Sequence, residues 1–297
     1  MTLALSVNPR LATVVHAAGD IARRALIACG GVTRPVPGFT ATPFRLAGNV
    51  IIWVGQSAPL HPRVALVERD RPQDLLDAKS AICYQPKTVG GQGFSSIDWQ
   101  KPLTRAILGL LKYAKPGGFG GLLAAQPLEF PLSHRRDAAR ALAQACADND
   151  ANAFIVAATR LLGVGGGLTP SGDDFVGGAL FARRFVSGGS AASLRWQAAG
   201  TEILASAKTR THAISHALLS DLALGASYAP LHLLSNALQQ ADADTAQLAM
   251  RDLVSIGHSS GWDMLAGFIA GATGKTQLIG QAQLIGQAQL IGHNQLS

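Results

Sequence analysis

Gly163-Val-Gly-Gly-Gly-Leu-Thr-Pro-Ser-Gly-Asp-Asp-Phe-Val-Gly-Gly178 and, about ninety residues later, Gly257-His-Ser-Ser-Gly-Trp-Asp-Met-Leu-Ala-Gly267 share one spacing, Ser-Gly-x-Asp-x-x-x-Gly. The shared positions are Ser171, Gly172, Asp174 and Gly178 in the first copy, and Ser260, Gly261, Asp263 and Gly267 in the second. Ser-x-x-Asp ahead of an apolar run is a helix-start signal. The spacing predicts helices over 171–187 and 260–273, each entered through a glycine-rich approach. Two such starts can aim two helix N-termini at one ligand.

Helical periodicity fills the rest of this half. It predicts helices from Leu103 to Lys115 and over about 134–147, 151–162, 192–221, 229–240 and 243–256. Gly117-Gly-Phe-Gly-Gly121 reads as a flexible loop and a domain seam. Residues 9–29 also read as a helix, because Leu11, Val14, Val15, Ala18 and Ala22 recur at helical spacing and Gly30-Gly31 stops them. Between Val32 and Trp99 the pattern is different. Short β-rich runs appear at Phe44–Leu46, Asn49–Val54, Arg63–Glu68, Ala81–Tyr84 and Phe94–Trp99, separated by Pro-, Gly- and Asn-rich turns. This spacing suggests an antiparallel barrel or sandwich. The expected fold class is therefore α+β: a small β-rich N-terminal domain over 1–116, a mainly helical domain over 117–276, and a tail over 277–297. The tail repeats Gln-Leu-Ile-Gly-Gln-Ala, too few times to bury a core, and reads as a poorly ordered extension.

Composition narrows the function. Hydrophobic residues make up 48% and charged residues 14%, which supports a sizeable core and argues against disorder. No apolar run reaches the roughly 18 residues that span a bilayer, and Met1–Arg10 lacks the basic start and apolar block of a secretory signal. Three scattered cysteines without a CxxC pattern support neither a disulfide framework nor a zinc knuckle. A cytoplasmic protein without membrane partners is expected. The net charge of +7 suits a small anionic substrate. The basic residues are dispersed and aromatics are only 6%, so nucleic acid is not an expected partner.

The candidate site residues follow from the two segments. Capping alone would explain Ser171 with Asp174 and Ser260 with Asp263, or Thr169 as the cap with Pro170 first in the helix. Capping requires neither Gly165–Gly167 upstream nor the extra Asp173. Glycines there let the backbone approach a ligand closely, and helix N-termini favour anions. The carboxylates of Asp173, Asp174 and Asp263 would repel a bare anion. They fit better as acceptors for substrate amide N–H groups, or as ligands of a Mg²⁺ that bridges to a phosphate. Gly166, Gly167, Thr169, Ser171, Gly172, His258, Ser259, Ser260 and Gly261 complete the two approaches. In Lys208-Thr-Arg-Thr-His-Ala-Ile-Ser215, helical spacing puts Lys208, Thr211 and Ser215 on one face, and Arg210 offers a bidentate anion clamp. His212 and His216 have the i,i+4 spacing of a metal pair without a surrounding HExxH, and no metal ligands are assigned.

Three motifs mislead. Gly274-Lys-Thr276 resembles a P-loop end, but Ile269 stands where the loop needs glycine. Gly163–Leu168 fails GxGxxG at its last position. Gly257-His-Ser-Ser-Gly261 satisfies GxSxG, with Ser259 as the nucleophile of a serine hydrolase, but that motif needs a preceding strand and the sequence predicts a helix.

Through Gly167-Leu-Thr-Pro-Ser-Gly-Asp-Asp174 the chain resembles a bacterial family that includes the H subunit of oxamate carbamoyltransferase. The resemblance extends to Thr211 and Ser215, to Gly257–Asp263 and, weakly, to the β-rich half ending at Asp98-Trp99. It implies a subunit of a multi-subunit enzyme of anaerobic allantoin and purine breakdown. That enzyme converts oxalurate and phosphate to oxamate and carbamoyl phosphate with two other subunits. A non-catalytic scaffolding subunit, whose two segments only cap helices and shape an interface, is the alternative.

Overall fold

The computed structural model describes residues 12–68, 74–85, 99–187 and 191–278. Two compact units divide the chain at Lys87/Thr88. The β reading of Phe94–Asp98 and the hexapeptide tail beyond Leu278 lie outside the described residues. As expected, the class is α+β: a curled mixed sheet of half-barrel form, then a mostly helical region. No helix among the described residues is long and apolar enough to cross a membrane.

The first unit contains β1 (Thr13–Gly19), α1 (Asp20–Ala28), β2 (Thr33–Pro35), β3 (Phe44–Ala47), β4 (Val50–Gly55), β5 (Val64–Val67), β6 (Leu76–Asp77) and β7 (Ile82–Tyr84). The strand order is β2-β3-β4-β5-β1-β6, with β7 also paired to β1. The sheet is mixed rather than antiparallel: β4 runs parallel to β5, and β1 parallel to both β6 and β7. Val15, Ile52, Val54, Val67 and Leu76 pack with Ala22, Ala25 and Leu26 of α1 into one core.

The expected helix over 9–29 is thus half strand. Thr13 and Val15 are buried while Val14 and His16 are exposed, the period of a strand. A β-bulge between Val15 and Ala17 then resets the phase, so the next fully buried residue is Ala18. The step from Val15 to Ala18 imitates a helical turn.

The second unit contains α2 (Gln100–Leu111), a 3-10 turn at Gly118–Leu122, α3 (Arg136–Ala147), α4 (Ala151–Thr159), α5 (Ser171–Ser187), α6 (Ala191–Ala207), α7 (Ala213–Ala223), α8 (Ala229–Gln239), α9 (Ala243–Val254) and α10 (Ser260–Thr273). Helix α2 packs against α9 in this unit, whereas the sequence grouped it with the β-rich half. Gly117–Gly121 is no flexible seam: Phe119, Gly120 and Gly121 are buried in the 3-10 turn, which packs against α10. The expected single helix over 192–221 is two, α6 and α7, broken at Lys208–His212.

Helices α5 and α10 form the centre. Nearly every residue of each is buried, as a helix in the middle of a domain requires. Their axes approach closely because the repeated glycines carry no side chain. A Cβ at Gly178 would stand 2.2 Å from the Met264 carbonyl oxygen, and one at Gly267 1.9 Å from that of Phe175. Met264 and Phe175 each follow the motif aspartate, so the two contacts are mutual equivalents.

The repetition extends outward. Hairpins α3–α4 and α8–α9 precede α5 and α10. Each hairpin turns through one left-handed residue, Asn149 (φ 54°) or Ala241 (φ 55°). An N-cap aspartate follows, Asp150 or Asp242, and accepts two first-turn N–H groups. Each motif helix then seats its first glycine against the preceding segment: a Cβ at Gly172 or Gly261 would lie 1.9 Å from the carbonyl oxygen of Leu161 or Leu253.

Candidate functional site

The site grows from the starts of α5 and α10, which lie side by side. Thr169 Oγ1 and Ser260 Oγ are 2.7 Å apart, and Ser171 Oγ and Ser259 Oγ 3.4 Å. The N-cap of α10, Ser259, makes no side-chain cap hydrogen bond. The Pro170 carbonyl accepts from Asp173 and Asp174, and the Ser259 carbonyl from Asp263. The hydroxyls are thereby left to face one another across the two starts.

The three carboxylates lie beneath this hydroxyl layer; Asp173, Asp174 and Asp263 are 1%, 5% and 0% exposed. Asp173 is bound internally. Its Oδ1 accepts the Gly163 N–H at 2.8 Å, and its Oδ2 accepts the hydroxyls of Thr211 at 2.5 Å and Ser215 at 2.6 Å. Asp263 Oδ1 accepts the Phe119 N–H at 2.6 Å. Burial holds the Asp263 carboxyl up at about 7, against the lowering effect of Phe119 N–H, Ser171 and Ser259. Burial, then the neighbouring Asp263, pushes Asp174 well above the ordinary carboxylate range, opposed by the Ser260 and Thr169 hydroxyls. Asp174 in turn helps burial raise the phenol of buried Tyr228.

Above the hydroxyls opens a cleft of about 480 Å³, lined among others by Lys115, Gly165, Gly166, Ser171, His258, Ser259 and Trp262. That volume suits a small molecule. Lys115 and Glu129 place one charge of each sign on its lining, with His258 and the hydroxyls of Ser171 and Ser259 beside them. A larger groove runs along α2 and α9, but Arg105 and Asp244 pair across it at 3.0 Å and no motif converges there.

Of the residues singled out from sequence, Gly166, Ser171, His258 and Ser259 line this cleft. Thr169 and Ser260 sit beside it in the hydroxyl layer. Gly172 and Gly261 are packing residues, and their N–H groups are spent on the Val164 and Ile256 carbonyls. Gly167 is exposed on the approach loop, its carbonyl 3.4 Å from His212 Nε2. Thr211 and Ser215 reach Asp173 rather than the cleft, and they do so from a turn and a new helix instead of one helical face. Lys208 and Arg210 are exposed on that turn, with Arg210 Nε donating to Ser206 Oγ at 3.2 Å. His212 and His216 face Ser215 N–H and the Leu204 carbonyl, not each other. Among the described residues no group of three or more His, Cys, Asp or Glu side chains is arranged to hold a metal.

Sequence reasoning missed the Lys115–Phe119 wall. Gly118 (φ +54°) is the decisive residue there: a Cβ would stand 2.2 Å from Asp263 Oδ1. A Gly-rich stretch around one phenylalanine was the available signal. The helix α9 before Gly257-His-Ser-Ser-Gly261 also denies Ser259 the strand that a nucleophile elbow needs, and Gly274 serves as the left-handed cap of α10.

Residues 161–272 match the family of the oxamate carbamoyltransferase subunit AllH. The matched segment contains the starts of both motif helices, Asp173, Asp174 and Asp263, and the Thr211–Ser215 stretch. The Lys115–Phe119 wall precedes it. No curated protein and no solved structure matches the chain.

Proposed function

We propose that this chain is a subunit of an oxamate-type carbamoyltransferase and that the cleft over α5 and α10 binds a small amide-containing anion. The observation that carries this reading is the meeting, at one cleft, of the two Ser-Gly-x-Asp helix starts, both of which lie inside the segment that matches the AllH family. The reaction it points to takes oxalurate and phosphate to oxamate and carbamoyl phosphate. A phosphate oxygen attacks the carbamoyl carbon, the C–N bond to the oxamate part breaks, and the proton of the phosphate passes to that nitrogen. Such a transfer needs orientation and stabilisation of charge on the carbonyl oxygen, and no protein nucleophile. Lys115 and the hydroxyls of Ser171 and Ser259 suit the anionic end and the carbonyl. The other substrate groups would meet further subunits of the complex.

The scaffold reading has its own support, since Asp173 spends its oxygens on internal hydrogen bonds and the aspartates lie below the cleft floor. One experiment separates the two. Calorimetric titration of the chain, alone and with its partner subunits, with oxamate, oxalurate and carbamoyl phosphate should give binding that Ser171→Ala with Ser259→Ala weakens. Binding by the partners alone, unchanged when this chain is added, would leave only the scaffold.

A further inference from the structure

The charge balance beneath the cleft is incomplete. No ion pair among the described residues involves Asp173, Asp174 or Asp263. Hydrogen bonds satisfy Asp173. Asp174 and Asp263 are different: the Oδ2 atom of each is buried without a hydrogen-bond partner. A buried carboxylate oxygen without a well-formed hydrogen bond is costly, because the hydroxyls near it replace only part of the water it has lost. The two atoms sit on adjacent helices at equivalent motif positions, and Asp263 is near enough to Asp174 to act on it electrostatically.

The groups around them define its chemistry. The Thr169 and Ser260 hydroxyls stand at Asp174, and those of Ser171 and Ser259 at Asp263. The donor set is two carboxylates and four hydroxyls, all oxygen. Soft or borderline metals prefer thiolate and imidazole. Mg²⁺ is typically held by one or two carboxylates, with its other positions left to water and substrate oxygens. Ser171 and Ser259 border the cleft as well as Asp263, so the open positions would face the bound anion. We propose that Asp174 and Asp263, with the hydroxyls above them, seat one hard divalent cation of the Mg²⁺ class at the floor of the cleft. The cation would resolve the oddity of carboxylates beneath an anion site, because a bound ion inverts the local charge. The completion of its shell by substrate rests on the cleft reading above; the binding of the cation does not.

The test uses the full chain stripped with EDTA and titrated with Mn²⁺, free Mn²⁺ being followed by electron paramagnetic resonance with no anion present. One tight Mn²⁺ per chain is expected, displaced by Mg²⁺ and weakened by at least about 100-fold in Asp174→Asn and in Asp263→Asn. If either variant fails to fold by circular dichroism, the Ser171→Ala/Ser259→Ala chain should still show weakened Mn²⁺ binding and a smaller Mg²⁺-dependent rise in Tm than wild type. No tight Mn²⁺, or tight Mn²⁺ that these substitutions leave unchanged, overturns the proposal and leaves the carboxyls sharing a proton. Oxamate and oxalurate titrations with Mg²⁺ and with EDTA form the second arm. Equal anion binding in both, without tight Mn²⁺, removes the cation and keeps the cleft reading. Tight Mn²⁺ without anion binding does the reverse.

Discussion

Asp174 and Asp263 each face the serine that begins the other's helix: Ser260 of α10 stands at Asp174, and Ser171 of α5 at Asp263. The exchange is possible only because Gly178 and Gly267 let the two helices touch through backbone one turn further on. The motif Ser-Gly-x-Asp-x-x-x-Gly is therefore one device. Its first glycine seats the helix on the preceding segment, its last glycine brings in the partner helix, and its serine and aspartate meet their counterparts across the gap.

The packing half of this device is testable by volume. Gly267→Ala places a methyl 1.9 Å from the Phe175 carbonyl oxygen, so α5 and α10 must separate. A stability loss of about 1–3 kcal/mol or more is expected in urea melts. Gly166→Ala meets nothing within 4 Å and should stay within about 0.5 kcal/mol of wild type. Equal stability of the two variants would mean that the helix contact is looser than described.

The buried carboxyls make stability depend on pH in the metal-free chain. Asp263 titrates at about 7 in the folded state, above its unfolded value of about 3.9, and Asp174 is raised as well. The folded state then holds protons that the unfolded state has lost. The Asp263 contribution is present below about pH 4 and disappears as pH rises through about 7. Chemical denaturation in EDTA should show stability falling between about pH 4 and pH 7, by up to roughly 4 kcal/mol from Asp263. Asp263→Asn should flatten that fall. An unchanged slope in the variant would assign it to other groups.

Much of this was legible in the sequence, and the misreadings have physical causes. The starts of α5 and α10 fall where Ser-x-x-Asp predicts them, at Ser171 and Ser260, although the Ser259 side chain forms no cap. The break at Lys208–His212 does not. It has no Pro or Gly, and tertiary contacts impose it: Thr211 bonds Asp173, and the Arg210 carbonyl lies where a Cβ on Gly163 would be. Gly117–Gly121 read as flexible because its glycines exist for a distant neighbour: a Cβ at Gly120 would stand 2.8 Å from the Trp262 ring. The helical period seen in Val15 and Ala18 came from a bulge, which no count of hydrophobic spacing distinguishes from a helix.

Asp173 should behave as a structural anchor. Thr211→Val and Ser215→Ala each remove a donor from a buried carboxylate, a loss of about 1.5–3 kcal/mol per hydrogen bond. Lys208→Ala and Arg210→Ala touch exposed side chains outside the cleft lining and should change stability by less than about 0.5 kcal/mol. Anion binding should also be unchanged. A large loss of anion affinity in Arg210→Ala would restore the clamp that the sequence suggested.

The decisive variants are Asp174→Asn and Asp263→Asn in the reconstituted complex, because the isolated chain holds only part of a multi-subunit site under the proposed function. If the two carboxylates only fix helix starts, Asn keeps an acceptor of the same shape and relieves the burial of charge, so turnover should follow stability alone. If they hold charge for a cation or for substrate, Asn removes the charge and turns an acceptor into a donor at an oxygen that has no other partner in the protein. Turnover should then fall roughly 100-fold or more while Tm holds or rises. The second outcome is expected for both variants, since Asp174 and Asp263 occupy equivalent positions and each leaves Oδ2 unpartnered. Full activity in both, with normal assembly, would make the paired motif a packing device and place the chemistry in another subunit.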